Sequence, residues 1–407
     1  MIDSTPGPLG PFAEPRPSMQ GRYLIRNKRK AQAFAALDAL LALVPSGKGK
    51  VPAVPERILV ANWGHLGDVI TTFGALALLR QSYPGARIGM IVGSWGRAAI
   101  QATGFVDDLH IVDHWGVNRA NISGKAKRAR YRETRTEALR NIRATRYQIA
   151  IDLYPFFPPA HPLFFRARIP VRVGFSSGGF GPLLTHALRW PDADRPIADH
   201  YQVLLNALDP ARPFPPESLR PRRARETLAP LPVGLIGLSN YAVLHPGAGA
   251  PFKDWGIDKW RALIADFHRS RPELRLVLTG AGAGEVAIAE ALAAEFPDLL
   301  VMAGQASFEE FVSIIAQAAL VICPDTATGH VAALFDVPTV SVFTGTNSVT
   351  QWRPYSDRVQ VLVQPVLCAP CNRAGCDVMA CIRDVSPATV MAAITRLSLL
   401  NDTGPRC

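Results

Sequence analysis

Three stretches of this chain carry residue types that can grip a charged ligand. In the first, the apolar run Ala319-Leu320-Val321-Ile322 hands over to Asp325, Thr326, Ala327, Thr328, Gly329 and His330, and then to Val331, Ala332 and Leu334 at helical spacing. A strand-to-helix junction of this kind leaves first-turn N–H groups without intrahelical acceptors. The helix dipole adds positive potential there, so a phosphate can dock. The same residues also read as an ordinary cap, with Asp325 or Thr326 supplying the oxygen. The second stretch is His245-Pro246-Gly247-Ala248-Gly249, after the apolar run Tyr241 to Leu244. The third is Gly280 to Glu285, after Leu274 to Thr279. Glycines at the carboxyl ends of strands let backbone approach a ligand closely, and two such turns in one region speak for nucleotide binding more than one does. A fourth cluster is of another kind, Cys368-x2-Cys371-x4-Cys376-x4-Cys381. Four thiolates over so short a span can close a tetrahedral zinc or iron site of structural type; two disulfides or free thiols are the alternatives.

These stretches need strands and helices to hold them. Arg57 to Asn62 reads as a buried strand, followed by the turn Trp63 to Gly67 and a helix from about Asp68, with Val69, Phe73, Leu76 and Leu79 on one face. Further strands are expected at 88–92, 109–112 and 147–153, alternating with helices, which implies right-handed βαβ units and a parallel sheet. A second series of the same kind runs from Tyr241 to Phe343. The proline- and arginine-rich stretch 209–232 between the two series makes the best boundary. The expected layout is a disordered arm, an amphipathic helix (about 23–44) and a linker over 1–56, then domains at 57–225 and 233–367. The cysteine segment 368–383 and a terminal helix and tail, 384–407, follow. A ligand is expected in the cleft between two doubly wound domains, at the carboxyl ends of both sheets.

Composition bounds the partners. At 407 residues the chain has room for two cores, and a 48% hydrophobic content fits a globular protein. No run of about 18 uncharged apolar residues and no apolar leader is present, so a cytoplasmic location is expected. Lys and Arg number 44 against 33 Asp and Glu, a net charge of +11 that attracts polyanions. Much of the surplus lies in residues 119–146, a helix that is either a plain solvated face or a surface for an anionic partner. Nucleic acid is not expected, because no aromatic-interleaved basic motif accompanies the charge.

In order and spacing, several motifs resemble glycosyltransferase family 9, the ADP-heptose:lipopolysaccharide heptosyltransferases. They are Gly67-Asp68-Val69-Ile70; His245 to Gly249 with Lys253-Asp254-Trp255; Asp325-Thr326 with His330 and Ala332-Ala333; and Trp352-Arg353-Pro354. The resemblance covers about residues 57 to 400. It implies the GT-B fold, two Rossmann-like domains facing across a cleft, and metal-independent inverting transfer from a nucleotide sugar. By position, Asp68 matches the family's catalytic base; as a residue at a helix start it also reads as a cap. Lys253 matches the lysine that meets the donor diphosphate, Glu285 the acid that binds the ribose hydroxyls, and His330 a donor to the sugar or phosphate. Gly247 and Ala248 fall in the donor turn. The chain departs from the family at Ala327, where glycine is usual; here glycine comes two residues later, at Gly329. Relatives that modify autotransporter proteins carry a four-cysteine iron finger, so the resemblance also implies a structural metal at Cys368, Cys371, Cys376 and Cys381.

The expected function is transfer of a heptose from ADP-heptose to an anionic glycolipid or glycan acceptor of the lipopolysaccharide core, with peripheral contact on the inner face of the inner membrane. A protein O-heptosyltransferase and a GT-B sugar-nucleotide epimerase are the alternatives.

Overall fold

The computed structural model describes residues 22 to 401, apart from 26, 48, 210–213, 215–218, 224 and 374–375. The expected arm at 1–20 lies outside them. Two parallel sheets of six strands organise the chain. The first holds β1 (Arg57–Ala61), β2 (Arg87–Val92), β3 (Asp108–Ile111), β4 (Ile149–Asp152), β5 (Val171–Phe175) and β6 (His186–Leu188), in the order β3-β2-β1-β4-β5-β6. The second holds β7 (Tyr241–Leu244), β8 (Arg275–Leu278), β9 (Leu300–Val301), β10 (Leu320–Pro324), β11 (Thr339–Val342) and β12 (Val359–Leu362). Read from β9, its order is β9-β8-β7-β10-β11-β12, the same winding as the first. In each sheet the strand order reverses between the first and fourth strands, so the turns after β1 and β4, and after β7 and β10, open at the topological switch points.

The central strands are continuous apolar runs because helices cover both faces. Ile58, Leu59, Val60 and Ala61 are buried, and so are Tyr241 to Leu244 and Val321 to Cys323. The helix expected from Asp68 forms as two pieces, Leu66–Ile70 and Phe73–Ser82. The break has a local cause: the Thr71 and Thr72 hydroxyls donate to the carbonyls of Asp68 and Val69, at 2.7 Å each, competing with the backbone ladder. The apolar face read from the sequence is nonetheless buried across both pieces. One apolar cluster continues from Leu76 through Leu219 to Val331 and Leu334, joining the two halves. Within the expected boundary stretch, Leu219 abuts Gly74 and Arg220 is anchored on Tyr355 O, Asp357 and Asp336.

The amphipathic N-terminal helix, Lys28–Leu41, docks on the protein. Phe34 packs between the rings of Phe157 and Phe180, at 5.1 and 5.5 Å, and the buried Asp38 accepts from Phe180 N–H (2.8 Å) and the Tyr23 hydroxyl (2.9 Å). Asp38→Ala leaves both donors without this acceptor and is expected to destabilise the chain by about 1–3 kcal/mol, read as a lower urea midpoint. The basic stretch folds as the helix Gly124–Thr145 between β3 and β4. Its Arg130 pairs with buried Asp113 at 2.6 Å, while Lys125, Arg132 and Arg140 stay exposed.

Candidate active site

The turn after β1 holds Asp68 by several bonds. Asp68 Oδ2 accepts the His65 N–H at 2.7 Å, closing a capping box on the helix Leu66–Ile70. Asn62 accepts from Gly64 N–H and donates to Asp68 O, at 3.0 and 3.2 Å. Position 64 must be glycine, since a Cβ there would fall 2.6 Å from Asp68 Oδ2. The carboxylate therefore makes the structural bond of a first-turn acid and also faces the cleft. Burial pushes its pKa up to about 6; the His65 N–H, Lys253 and Arg119 work against that rise, and Asp325 adds to it. Lys253 and Asp325 belong to the second sheet's turns, so Asp68 feels charges from across the cleft.

On the far side, Lys253 ends the short turn Pro251–Lys253 and reaches Asp325, with Nζ 2.6 Å from Oδ2 and 3.2 Å from the main-chain oxygen. The junction expected after the apolar run is present. β10 ends at Pro324, Thr326 takes the cap position and the helix Ala327–Leu334 begins directly. The Thr326 hydroxyl is buried beside the Cys323 thiol and caps nothing. First-turn N–H groups of Ala327, Thr328 and Gly329 have no intrahelical acceptor by helix geometry. Thr328 itself is buried. Gly329 serves packing: a Cβ there would stand 2.9 Å from Pro354 Cγ, in the Trp352-Arg353-Pro354 segment.

His330 points toward the first half of the chain. A Cβ built on Gly67 would sit 3.2 Å from its Cδ2, so the helices Leu66–Ile70 and Ala327–Leu334 meet across the cleft. Burial holds His330 down to about 4 and, with Arg119 and Lys253, His65 down to about 3; both imidazoles are neutral at pH 7.

The two glycine-rich turns come together through Glu285. At the third position of the helix Ala283–Glu295, it accepts Ala281 N–H at 2.7 Å and Gly282 N–H at 3.4 Å through Oε2. Its side chain lies over Gly247, where a Cβ would meet Glu285 Cγ at 2.4 Å and Oε1 at 2.6 Å. Glu285 is thus a capping-box acid, as its position in the first turn allows, and also a carboxylate standing at the turn of Gly247. Ala248 follows, half-buried, at the same turn.

Arg119 is the residue that the sequence reading passed over. In the sequence it is the start of a basic run; in the fold it lies in the loop after β3 and crosses to the second half, where Nη1 donates to Gly249 O at 3.0 Å. Asp68, Tyr154 and Asp325 all lie within its field. The signal that finds it is its place at the carboxyl end of a strand, where both sheets put their functional turns.

Among the described residues no three His, Cys, Asp or Glu side chains converge closely enough in this structure to hold a metal ion, and Cys368, Cys371, Cys376 and Cys381 form no disulfide. Cys368 is exposed, Cys371 is tied through its N–H to Gly345 O at 3.0 Å, Cys381 is fixed in the helix Ala380–Arg383, and Cys376 accepts from Met379 N–H. The Met379 and Val378 N–H groups lower the Cys376 pKa.

Two parallel doubly wound sheets, with an acid on one side of the cleft and a lysine, a helix start and two glycine turns on the other, define a GT-B glycosyltransferase. The heptosyltransferase model of glycosyltransferase family 9 matches residues 135–381, and the chain belongs to that family. Lipopolysaccharide heptosyltransferase 3 of Escherichia coli is 24% identical over 309 residues, covering 72% of this chain and 84% of that protein. Among solved structures, the fold is shared with the E. coli heptosyltransferase WaaC with ADP, at a TM-score of 0.65 and 18% identity, covering 84% of this chain and 99% of that one. It is shared more loosely with the iron-containing dodecameric glycosyltransferase TibC from enterotoxigenic E. coli, at a TM-score of 0.50 and 14% identity, covering 85% and 77%. No helix among the described residues is long and apolar enough to cross a membrane.

Proposed function

We propose that the enzyme moves a heptose from ADP-heptose to a hydroxyl of a lipopolysaccharide core or related glycan, with inversion at the anomeric carbon. The observation that carries this reading is the placement of Asp68 in the electrostatic field of Arg119 and, across the cleft, of Lys253 and Asp325, whose side chains pair at 2.6 Å. The acceptor hydroxyl gives its proton to an Asp68 oxygen as its own oxygen bonds to the anomeric carbon. The bond from that carbon to the diphosphate breaks, and its electron pair leaves on ADP. Lys253, the first-turn N–H groups of the helix Ala327–Leu334 and Arg119 meet the charge that develops on the leaving diphosphate. Glu285 and the turn at Gly247 and Ala248 receive the ribose, and His330 contacts the sugar or phosphate as a neutral imidazole. Peripheral membrane contact is part of the same reading. It is supported by exposed Leu40, Leu43 and Val44 beside the N-terminal helix and by the exposed cations of Gly124–Thr145.

A panel of ADP-, GDP- and UDP-sugars, titrated calorimetrically and then assayed with lipopolysaccharide core acceptors, tests the proposal. ADP-heptose is expected to bind most tightly and to be the donor that turns over. Tighter binding and faster turnover of a UDP- or GDP-sugar would overturn the donor assignment.

A further inference from the structure

Tyr154 stands just beyond β4, the strand that flanks β1, and two bonds tie its loop to the turn of Asp68. Leu153 N–H donates to Ala61 O at 2.9 Å, and the Trp63 indole N–H donates to Pro158 O at 2.8 Å. The buried Asp152 fixes the loop from within, accepting Tyr154 N–H at 3.0 Å and Ala160 N–H at 2.6 Å. The Tyr154 ring packs edge-on against Phe156 at 5.6 Å, and the phenol lies in the fields of Asp68 and Arg119. The buried phenols of Tyr147, Tyr201 and Tyr241 are each bonded, to Asp108 at 3.0 Å, Thr71 at 2.9 Å and Ile314 O at 2.7 Å. The Tyr154 hydroxyl has no such partner among the described residues, and its oxygen is not sealed from solvent. A phenol in an apolar setting ordinarily finds an acceptor, and beside Tyr154 that place falls to a ligand.

We infer that the Tyr154 hydroxyl binds the acceptor sugar, donating to an oxygen adjacent to the hydroxyl that reacts, and so selects which hydroxyl reaches Asp68. The acceptor fits better than the donor because Tyr154 belongs to the first half and is tied to the turn of Asp68, whereas Lys253 and the glycine turns belong to the second. The attacking oxygen itself is the wrong partner, since a hydrogen bond donated to its lone pair would weaken it as a nucleophile while Asp68 takes its proton. A neighbouring oxygen of the same ring carries no such conflict. Contacts at two adjacent oxygens also fix the rotation of the ring, which one contact leaves free. Burial, with the Asp68 and Asp152 carboxylates, pushes the phenol's pKa up, so Tyr154 keeps its proton and acts as a donor throughout the working range. A site that hydrogen-bonds one sugar oxygen disfavours sugars that lack it. The inference rests on the transferase reading above and adds to it a residue that sets acceptor specificity.

The test is Tyr154→Phe in the full chain, which keeps the ring, its packing on Phe156 and the main-chain bond to Asp152. Binding of a deacylated lipopolysaccharide core oligosaccharide is measured by calorimetry with ADP present, ADP affinity is measured alone, and kcat/KM for transfer is followed against pH. Acceptor affinity is expected to fall about three- to tenfold, as the loss of one neutral hydrogen bond predicts. ADP affinity should stay within about twofold, because the donor turns belong to the other half. The acid limb of the rate profile should stay near pH 6, where Asp68 sets it. Unchanged acceptor affinity, or no binding of the oligosaccharide by the unmodified chain, overturns the inference. So does an acid limb moved to higher pH, which would make the phenol a partner of Asp68, and so does a matching loss of ADP affinity, which would place it on the donor. An unmodified chain that binds no nucleoside diphosphate overturns the transferase reading and the inference with it, whereas turnover of a donor other than ADP-heptose overturns the donor assignment alone.

Discussion

Asp68→Asn is expected to lower kcat on the order of 10²- to 10⁴-fold while ADP affinity is retained, because an amide keeps the shape and can still accept the His65 N–H but cannot take a proton. Wild-type kcat/KM should rise with pH through about 6 and then level off, since only the ionised carboxylate serves as base. His65 and His330, held down to about 3 and 4, add no second limb between pH 5 and 8. The same raised value predicts a stability effect of definite sign. The fold holds the Asp68 proton more tightly than the unfolded chain does, so stability falls as pH rises from the ordinary carboxylate value of 3.8 to about 6 and is flat beyond. Asparagine removes that dependence. The variant should therefore melt above the wild type at pH 7, with the advantage gone below about pH 4, readable by thermal unfolding across pH. A variant that transfers at wild-type rate would remove Asp68 from the mechanism.

Lys253→Ala should cost kcat/KM for the donor on the order of 10²- to 10³-fold, the range for losing one donor to a developing anion. Its second effect is electrostatic. With Lys253 gone, the nearby Asp325 carboxylate, only 11% exposed, loses its ion-pair partner and faces the incoming diphosphate unbalanced. Asp68 also loses a cation that holds its pKa down, so the acid limb of the rate profile should move to higher pH. The double variant Lys253→Ala/Asp325→Ala should recover stability relative to Lys253→Ala, with a coupling energy of about 0.5–3 kcal/mol in a urea double-mutant cycle. Additive single effects would show that the pair does not act as a unit.

How far these features were legible in the sequence depended on whether their cause is local. The strands β1, β7 and β10 are buried on both faces, so they appear as unbroken apolar runs, and the turns that follow them hold Asp68, Gly247 and Thr326 for the same reason. β5 escaped notice because Arg172 interrupts its apolar run; in the fold that arginine is buried and donates to Leu183 O at 2.7 Å. β12, Val-Gln-Val-Leu, is an edge strand whose short, half-exposed pattern is a weak signal. The Asp325 carboxylate looked like a cap or part of an anion cradle because its partner, Lys253, lies far away in the chain. Arg119 was invisible for a related reason, since its bond to Gly249 exists only when two sheets face each other. The four cysteines are close along the chain, yet among the described residues no three metal-ligating side chains come near enough in this structure to hold a metal ion.

Gly67 acts as a gauge between the two halves. Its missing side chain lets the helix that carries Asp68 come to rest on the imidazole of His330, so the thickness of residue 67 bears on the separation of the proposed proton acceptor from the proposed phosphate cradle. A methyl group at this place would stand 3.2 Å from the His330 ring and 3.9 Å from Ala327 Cα, so the ring would have to give way. What it would alter is the alignment of the two half-sites, a defect that shows in the turnover of the joined enzyme.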